Sequence, residues 1–503
     1  MRCDLVGLLA LFALAAPAPA LAQSKDEDAA PELPRLGLDP AEPSSRSAPP
    51  AMPFGVAPAT SKDTALDFHG YLLLPMRLGV HEREVSAPGD SGTVLHTPPL
   101  IPQNYRRFQY TGVMPEPWLQ LDLSYGNSTL AGTVVLASSA ATEAESFYDP
   151  VRQLGISDAY VTLNLSKQLG IAFQLRAGAM HHRYGAMGAF DSGRYATPLF
   201  ARINSIGETA TAGFKAGSAT IVLEQGIGGQ LGRVPTGVPS AGWNDFGNPD
   251  AGASYVGHFH AGLGFAGLVQ LGVHYASAWS QDDQNLSGTL QRGHINVLGA
   301  DARLTAGRFG HLYAGISHTS ASNASAVSGI IEVLNARGGQ GLVAEYLGPQ
   351  SGGNGGLTTF GAQYDLSVAR ARFGDAYQGR NPDILFSAFT LGTKVQSDDE
   401  SHDGVLKLKG GAEVTYSMAS WFGVSGRFDH VRQDNARNRS AFSIYTARLL
   451  FHSNWRSRDE FALSYSHFVY GRRVYAERGY PPADDPSLNP DKDALSLSVT
   501  FWW

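Results

Sequence analysis

The sequence predicts an all-β chain: a transmembrane antiparallel β-barrel of about 18 strands, with 16 as the alternative count. Three observations carry this. The stretch Asp493–Trp503 (DALSLSVTFWW) alternates strictly, with Leu495, Leu497, Val499, Phe501 and Trp503 on one face and Ala494, Ser496, Ser498, Thr500 and Trp502 on the other. A period of two separates residue types in a strand, and no helix would do so. Of 503 residues, 58 are Gly and only 17% are charged, against an ordinary Gly content of roughly 7%. Finally, alternating segments recur along the chain, joined in turn by short and by long connections.

The first 22 residues read as a secretory leader. Arg2 precedes an apolar run from Leu5 to Ala16, and Ala20-Leu21-Ala22 offers a small-x-small cleavage site. That run is too short to span a bilayer as a helix, and no later stretch is apolar for long enough. The only cysteine, Cys3, lies ahead of the apolar run. It is not placed for acylation, and the mature chain is expected to have neither a disulfide nor thiolate chemistry. A net charge of −7 argues against nucleic acid as a partner. A soluble secreted β protein would share the export signal and the lack of cysteine, but the low charge and high Gly fit a membrane barrel better.

Residues 23–63 are rich in Pro, Ala and charge. They cannot bury a core, and their prolines forbid ladder bonds, so they read as a disordered periplasmic tether or a segment that binds an envelope partner. The barrel domain is expected over 64–503. In DFHGYLLL, Leu66, Phe68, Leu72 and Leu74 share one face, with Asp67, His69 and Tyr71 opposite. In EPWLQLDLSY, Leu119, Leu121, Leu123 and Tyr125 oppose Trp118, Gln120, Asp122 and Ser124. In VLKLKGGAEVTYSM, Leu406, Leu408, Val414, Tyr416 and Met418 oppose Lys407, Lys409, Glu413, Thr415 and Ser417. The run Phe442–Phe451 is blurred. In a membrane barrel the apolar set faces lipid and the polar set faces the lumen.

Candidate strands start near residues 64, 116, 128, 155, 170, 207, 218, 253, 267, 292, 308, 357, 381, 404, 420, 440, 459 and 492. This count puts every long connection on one side, apart from a middling one at 373–381 on the short side. It also requires Gly341–Gly348 to lie inside a long outer loop. A barrel of this size encloses a water-filled channel, whereas eight strands fill their own interior.

Several features resemble outer-membrane barrels of Gram-negative bacteria, and porins among them. A final strand closing on aromatics resembles the signal read by the outer-membrane assembly machinery, which implies that role for Phe501 and Trp503. DFHGY (Asp67–Tyr71), the terminal Trp502-Trp503 and the layout of Ile156–Phe200 are similar to the maltoporin family of trimeric sugar porins. Together they cover about a sixth of the chain. The resemblance implies an outer-membrane location, a homotrimer, and small polar solutes, sugars first, as cargo. It also implies an aromatic slide for sugar rings that includes Tyr71 and Trp502. The cysteine-bearing first loop of that family has no counterpart here, and the outer loops differ.

Alternation independently places Tyr71 and Trp502 on the lumen side, with Trp118, Tyr160 and Tyr313. Stacking on sugar faces or sealing the barrel rim would each explain an aromatic there. The third long loop, His181–Ser205, carries His181, His182, Arg183, Asp191, Arg194 and Arg202. In general porins and sugar porins the third outer loop folds into the lumen and narrows it, so the resemblance in strand order implies a constriction here, with an ordinary exposed loop as the alternative. Lumen charges of both signs are expected: Asp122, Asp158, Glu224, Asp301, Asp365, Glu413 and Asp429 against Arg176, Lys215, Arg303, Lys407, Lys409 and Arg427. They would set a transverse field, or simply pair across the wall. His258 and His260 share a strand face, but no ligand spacing completes a metal site. SGGNGG precedes no helix, and no GxSxG motif or nucleophile–base spacing is present, so neither an enzyme nor a cofactor is expected. The function that follows is passive diffusion through a wet lumen narrowed by the third loop. A non-conducting barrel serving surface binding or envelope structure is the alternative.

Overall fold

The computed structural model describes residues 64–80, 118–138, 155–169, 171–184, 201–231, 253–280, 293–324, 331–332, 354–374, 382–400, 403–419, 421–432, 442–452, 460–470 and 492–502. The expected leader, the Pro-rich segment, Gly341–Gly348, Asp191, Arg194 and Trp503 lie outside them. Eighteen long strands form one antiparallel sheet. They are β1 Ala65–Val80, β2 Trp118–Gly126, β3 Leu130–Ser138, β4 Gly155–Asn164, β5 Ala172–Tyr184 and β6 Ala201–Ala216. Next come β7 Ala219–Leu231, β8 Ala253–Phe265, β9 Val269–Ser280, β10 His294–Thr305, β11 His311–Ser322 and β12 Gly355–Ser367. The last six are β13 Asp383–Ser397, β14 Leu406–Ala419, β15 Phe422–Arg432, β16 Phe442–Phe451, β17 Glu460–Tyr470 and β18 Lys492–Trp502. Each strand pairs with the next, and β18 pairs back onto β1 from Tyr71↔Trp502 to Val80↔Asp493. Closure leaves no exposed sheet edge, which hydrocarbon would not tolerate.

Connections at one end are short because local chemistry makes them so. The two-residue turn between β6 and β7 has Gly217 at φ +60, a left-handed conformation that glycine reaches without strain. After β2, the Asn127 side chain accepts from the backbone N–H groups of Thr129 and Leu130, at 2.9 and 3.0 Å. The middling connection before β13 contains a short helix, Val368–Phe373. Ser367 caps it by accepting from the Arg370 N–H, and Asp383 accepts from the Ala369 N–H at 2.9 Å. One strand starts earlier than its sequence suggests: β6 begins at Ala201 rather than near 207, held by β5 through Tyr184↔Ala201. An unanticipated two-residue strand, Ile331–Glu332, pairs with Ile203 and Arg202 at the outer end of β6.

The outward face is apolar over most of its height, with Leu66, Leu130, Ile221, Leu271, Ile316, Val414 and Leu449 all exposed. At its outer boundary it turns polar. Tyr275 donates to Asn296 (3.2 Å), and the His294 ring pairs with Ser277 (3.1 Å). His318 pairs with Thr358 (3.0 Å), His430 with Ser443 (2.9 Å) and His467 with Asp493 (2.8 Å). At the opposite boundary aromatic rings cluster, among them Trp421, Phe422 and Phe451. An apolar band between a polar rim and an aromatic girdle is the exterior of a membrane barrel.

The inner face departs from the expected pattern over its widest area near one rim. It is polar through most of the barrel, but near the outer ends of β8–β13 it becomes apolar and fully buried. Val256, Ala278 and Ile295 adjoin along one ladder row; Ala276, Val297, Thr319, Leu357 and Val395 adjoin along the next. The physical reason lies outside the wall. Where strands rise past the apolar band, their outward side chains meet water, so the soluble rule of polar outside and apolar inside takes over.

Candidate functional site: the inner wall

The inner wall of β14–β16 concentrates charge. Alternation along β14 turns Lys407, Lys409, Glu413, Thr415 and Ser417 inward, and all are buried. The register then sets Glu413 opposite Arg427 on β15, and Ser425 opposite Arg448 on β16. The Arg427 guanidinium donates to both Asp429 oxygens at 2.6 Å through Nε and Nη2, and to Glu413 at 3.2 Å through Nη1. The second Glu413 oxygen accepts from Arg448 and from Ser425. Asp429 is 0% exposed and Lys409 1%. Charges removed from bulk water this far persist only when paired and hydrogen-bonded, and this geometry supplies the pairing. Phe389 on β13 lies beneath both cations, 5.1 Å from the Arg427 guanidinium and 5.6 Å from Lys409 Nζ.

The described lumen tyrosines each sit beside an arginine. Tyr313 is 3% exposed, with the Arg303 guanidinium 5.4 Å from its ring centre and the His311 ring at 6.4 Å. Tyr160 is half-buried, with Arg176 at 5.9 Å. Tyr71 and Trp502 are register partners in the closing ladder, and Trp118 pairs with Leu73 two rungs further out. The sequence placed all five on one wall side; the register brings two of them together and leaves Tyr160 on β4 and Tyr313 on β11, far apart around the barrel.

Asp122 and Asp158 are buried on the inner wall of β2 and β4, and Glu224, His260 and His274 follow one another along a ladder row across β7–β9. His258 Nδ1 lies 4.0 Å from Glu224. Among the described residues no three His, Cys, Asp or Glu side chains converge as a metal site would require. Asp365 accepts from Gln363 at 2.6 Å and from Ser387.

One expectation about charged positions is corrected. His181, His182 and Arg183 belong to β5 and Arg202 to β6, in register as His181↔Asn204, His182↔Ile203 and Arg183↔Arg202. Strand therefore runs to Tyr184 and resumes by Ala201, because a ladder continues where the mixed polarity of the sequence suggested irregular chain. Lys215 keeps the inward parity of Thr209 and Gly213 but is exposed one residue from the end of β6, beside the Gly217 turn. Sequence reading also missed Arg448, hidden in the blurred Phe442–Phe451 run, and its only available signal was the odd spacing of Thr446 and Arg448 among apolar neighbours.

No family model matches the chain, and no curated protein matches it. Among solved structures it is similar to the outer membrane channel DcaP of Acinetobacter baumannii, at 10% identity over 89% of this chain and 100% of that one, with a TM-score of 0.39. It is similar to OpdK of Pseudomonas aeruginosa at 10% identity over 88% and 99%, TM-score 0.39. It is also similar to Wzi of Escherichia coli, a carbohydrate-binding β-barrel of group 1 capsule assembly, at 9% identity over 86% and 84%, TM-score 0.40. The ladder closure and the two faces of the wall define this chain by themselves as an eighteen-stranded transmembrane-type barrel.

Proposed function

We propose that the barrel lies in the outer membrane of a Gram-negative bacterium and passes small polar solutes by passive diffusion, sugars and oligosaccharides first among them. The carrying observation is an inner face with charges of both signs, where Arg176, Glu224, Asp301 and Asp365 face inward and are only half-buried, in a barrel of a size that encloses a channel. Fixed charges of both signs along a wall order water and favour polar solutes over apolar ones. Such transport breaks no bond and uses no cofactor. The preference for sugars rests on the maltoporin-like DFHGY and Trp502-Trp503 motifs, and gains support from Tyr71 and Trp502 being opposite each other in the ladder. Export through a cleaved leader, and assembly by machinery that reads Phe501 and Trp503, belong to the same reading. The loop between β5 and β6, with Asp191 and Arg194, is the narrowing we assign to the path.

A second reading, a non-conducting barrel that serves surface binding, is favoured by the buried apolar arc around Val297 and Leu357. Single-channel recording in planar bilayers separates the two. The channel reading expects discrete steps, higher conductance after deletion of Met187–Thr197, and a reversal potential moved toward cations by Lys407→Gln with Lys409→Gln. A folded barrel that gives no steps would sink it in favour of the second.

A further inference from the structure

The connection between β11 and β12 leaves the wall in a definite direction. Asn323, just past β11, has a left-handed φ of +49, which Asn adopts more readily than most residues and which turns the chain off the line of the strand. Its backbone N–H donates to the Asn354 side chain at 2.9 Å, tying the start of the connection to its end. Ala324 is then only 1% exposed, where a chain rising into water would be open. Seven residues beyond Ala324, Ile331–Glu332 pairs with Ile203 and Arg202 of β6. β5 already holds one edge of those two residues, through His182↔Ile203 and Arg183↔Arg202. The short strand therefore takes the other edge, beyond Ile206↔Gly229, where the pairing of β6 with β7 stops.

From β11 to that edge is four strand spacings, about 19 Å around the wall and less straight across. Residues 324–331 reach at most about 25 Å when fully extended. Little slack is left for an excursion into solvent, so the chain crosses close to the outer ends of β8–β10. The wall there tells on which side. Val256, Ala276, Ala278, Ile295 and Val297 face inward and are 0% exposed, although a lumen of this size would wet them. On the outward side of the same strands Leu298, next to Val297, is 56% exposed, and His294, next to Ile295, is open as well. The cover on these side chains lies inside the barrel. The crossing residues suit an apolar seat, since 325–330 read Ser-Ala-Val-Ser-Gly-Ile and carry no charge.

We propose that residues 325–330 dock on the inner face of β8–β10, as a crosspiece of the chain held at one end by Asn323 and at the other by the Ile331–Glu332 pairing. Its apolar side chains fill the arc around Val256, Ile295 and Val297, and any solute path is displaced from that side of the lumen. The crosspiece goes beyond the channel reading and does not depend on it.

The test uses single cysteines in the full chain, folded in detergent; the only native cysteine is Cys3, in the expected leader. A small maleimide should modify Ala278→Cys about tenfold or more slowly than Ser498→Cys, which is half-buried on the inner face of β18. Replacing 326–330 by a longer Gly/Ser stretch removes both the apolar side chains and the tautness. It should bring the two rates together while keeping the heat-sensitive gel mobility of a closed barrel. With the native loop, Ala278→Cys combined in turn with a cysteine at each of residues 326–330 should be joined by a short bis-maleimide at one position or more, and Ser498→Cys at none. That second measurement decides the matter if the replaced loop fails to fold. Equal rates in the native loop would overturn the proposal, as would protection that survives the Gly/Ser replacement, or no crosslink at any of the five positions. Absence of conductance steps in the same variants would count against the channel reading alone.

Discussion

Two arcs of the inner wall bury what they carry in opposite ways. On β14–β16 the wall holds Glu413, Arg427, Asp429 and Arg448 in a closed set of charge-assisted hydrogen bonds. Toward the outer ends of β8–β13 it holds Val256, Ile295, Val297, Leu357 and Val395, with no polar partner to satisfy. The arcs meet between β13 and β14, where Thr393 faces Lys407 and Leu391 faces Lys409. The charged arc depends on every partner being present, since one lost leaves another stranded. The apolar arc depends on volume alone and degrades gradually. Specific arrangement is demanded in the first, and close filling in the second.

Breaking the charged arc should give the largest effect. Arg427→Leu leaves Asp429 and part of Glu413 buried without their cation, which costs about 3–5 kcal/mol for a pair broken from one side. Urea unfolding of the detergent-folded barrel reads it, and a loss near zero would mean that water reaches Asp429. The apolar arc should respond next. Leu357→Ala removes a fully buried side chain and should cost about 2–5 kcal/mol, depending on how far its neighbours collapse. A value at the bottom of that range would show the arc to be loosely filled. The smallest effect is expected at the seam, where Thr359 and Thr393 share a buried hydrogen bond of 2.9 Å. Thr393→Val should cost about 1 kcal/mol, the net worth of one such bond with its partner left behind. Were it to cost as much as Arg427→Leu, the seam would be part of the charged network.

The same contrast explains what could be read in advance. The alternation of Lys407 and Lys409 with Leu406 and Leu408 marks both faces of β14, because a polar lumen and an apolar exterior put unlike residues on the two sides. In β16, Ile444 and Leu450 point inward while Tyr445 and Leu449 point outward. Apolar residues on both sides erase the period, and Arg448 was lost in the blur. The start of β6 was missed for a related reason. Residues 201–206 mix Arg, Asn and Ser with Ile, and only their pairing with β5 makes them strand. Pairing across the barrel, as between Ile331 and Ile203, leaves no periodic trace in either segment.

The closing ladder sets a condition on how the barrel can form. Tyr71 and Trp502 adjoin in space but stand almost the whole barrel sequence apart. Every other pairing of long strands joins neighbours along the chain, so those hairpins can form early and locally. The seam cannot, since the loop it closes is the entire domain and contacts so distant in sequence come slowly. Until β18 arrives, β1 offers a row of open backbone groups to any strand nearby. Assembly is therefore gated by its final step: a chain stopped short of Lys492 would lack one strand and, with it, the bond that turns a sheet into a vessel.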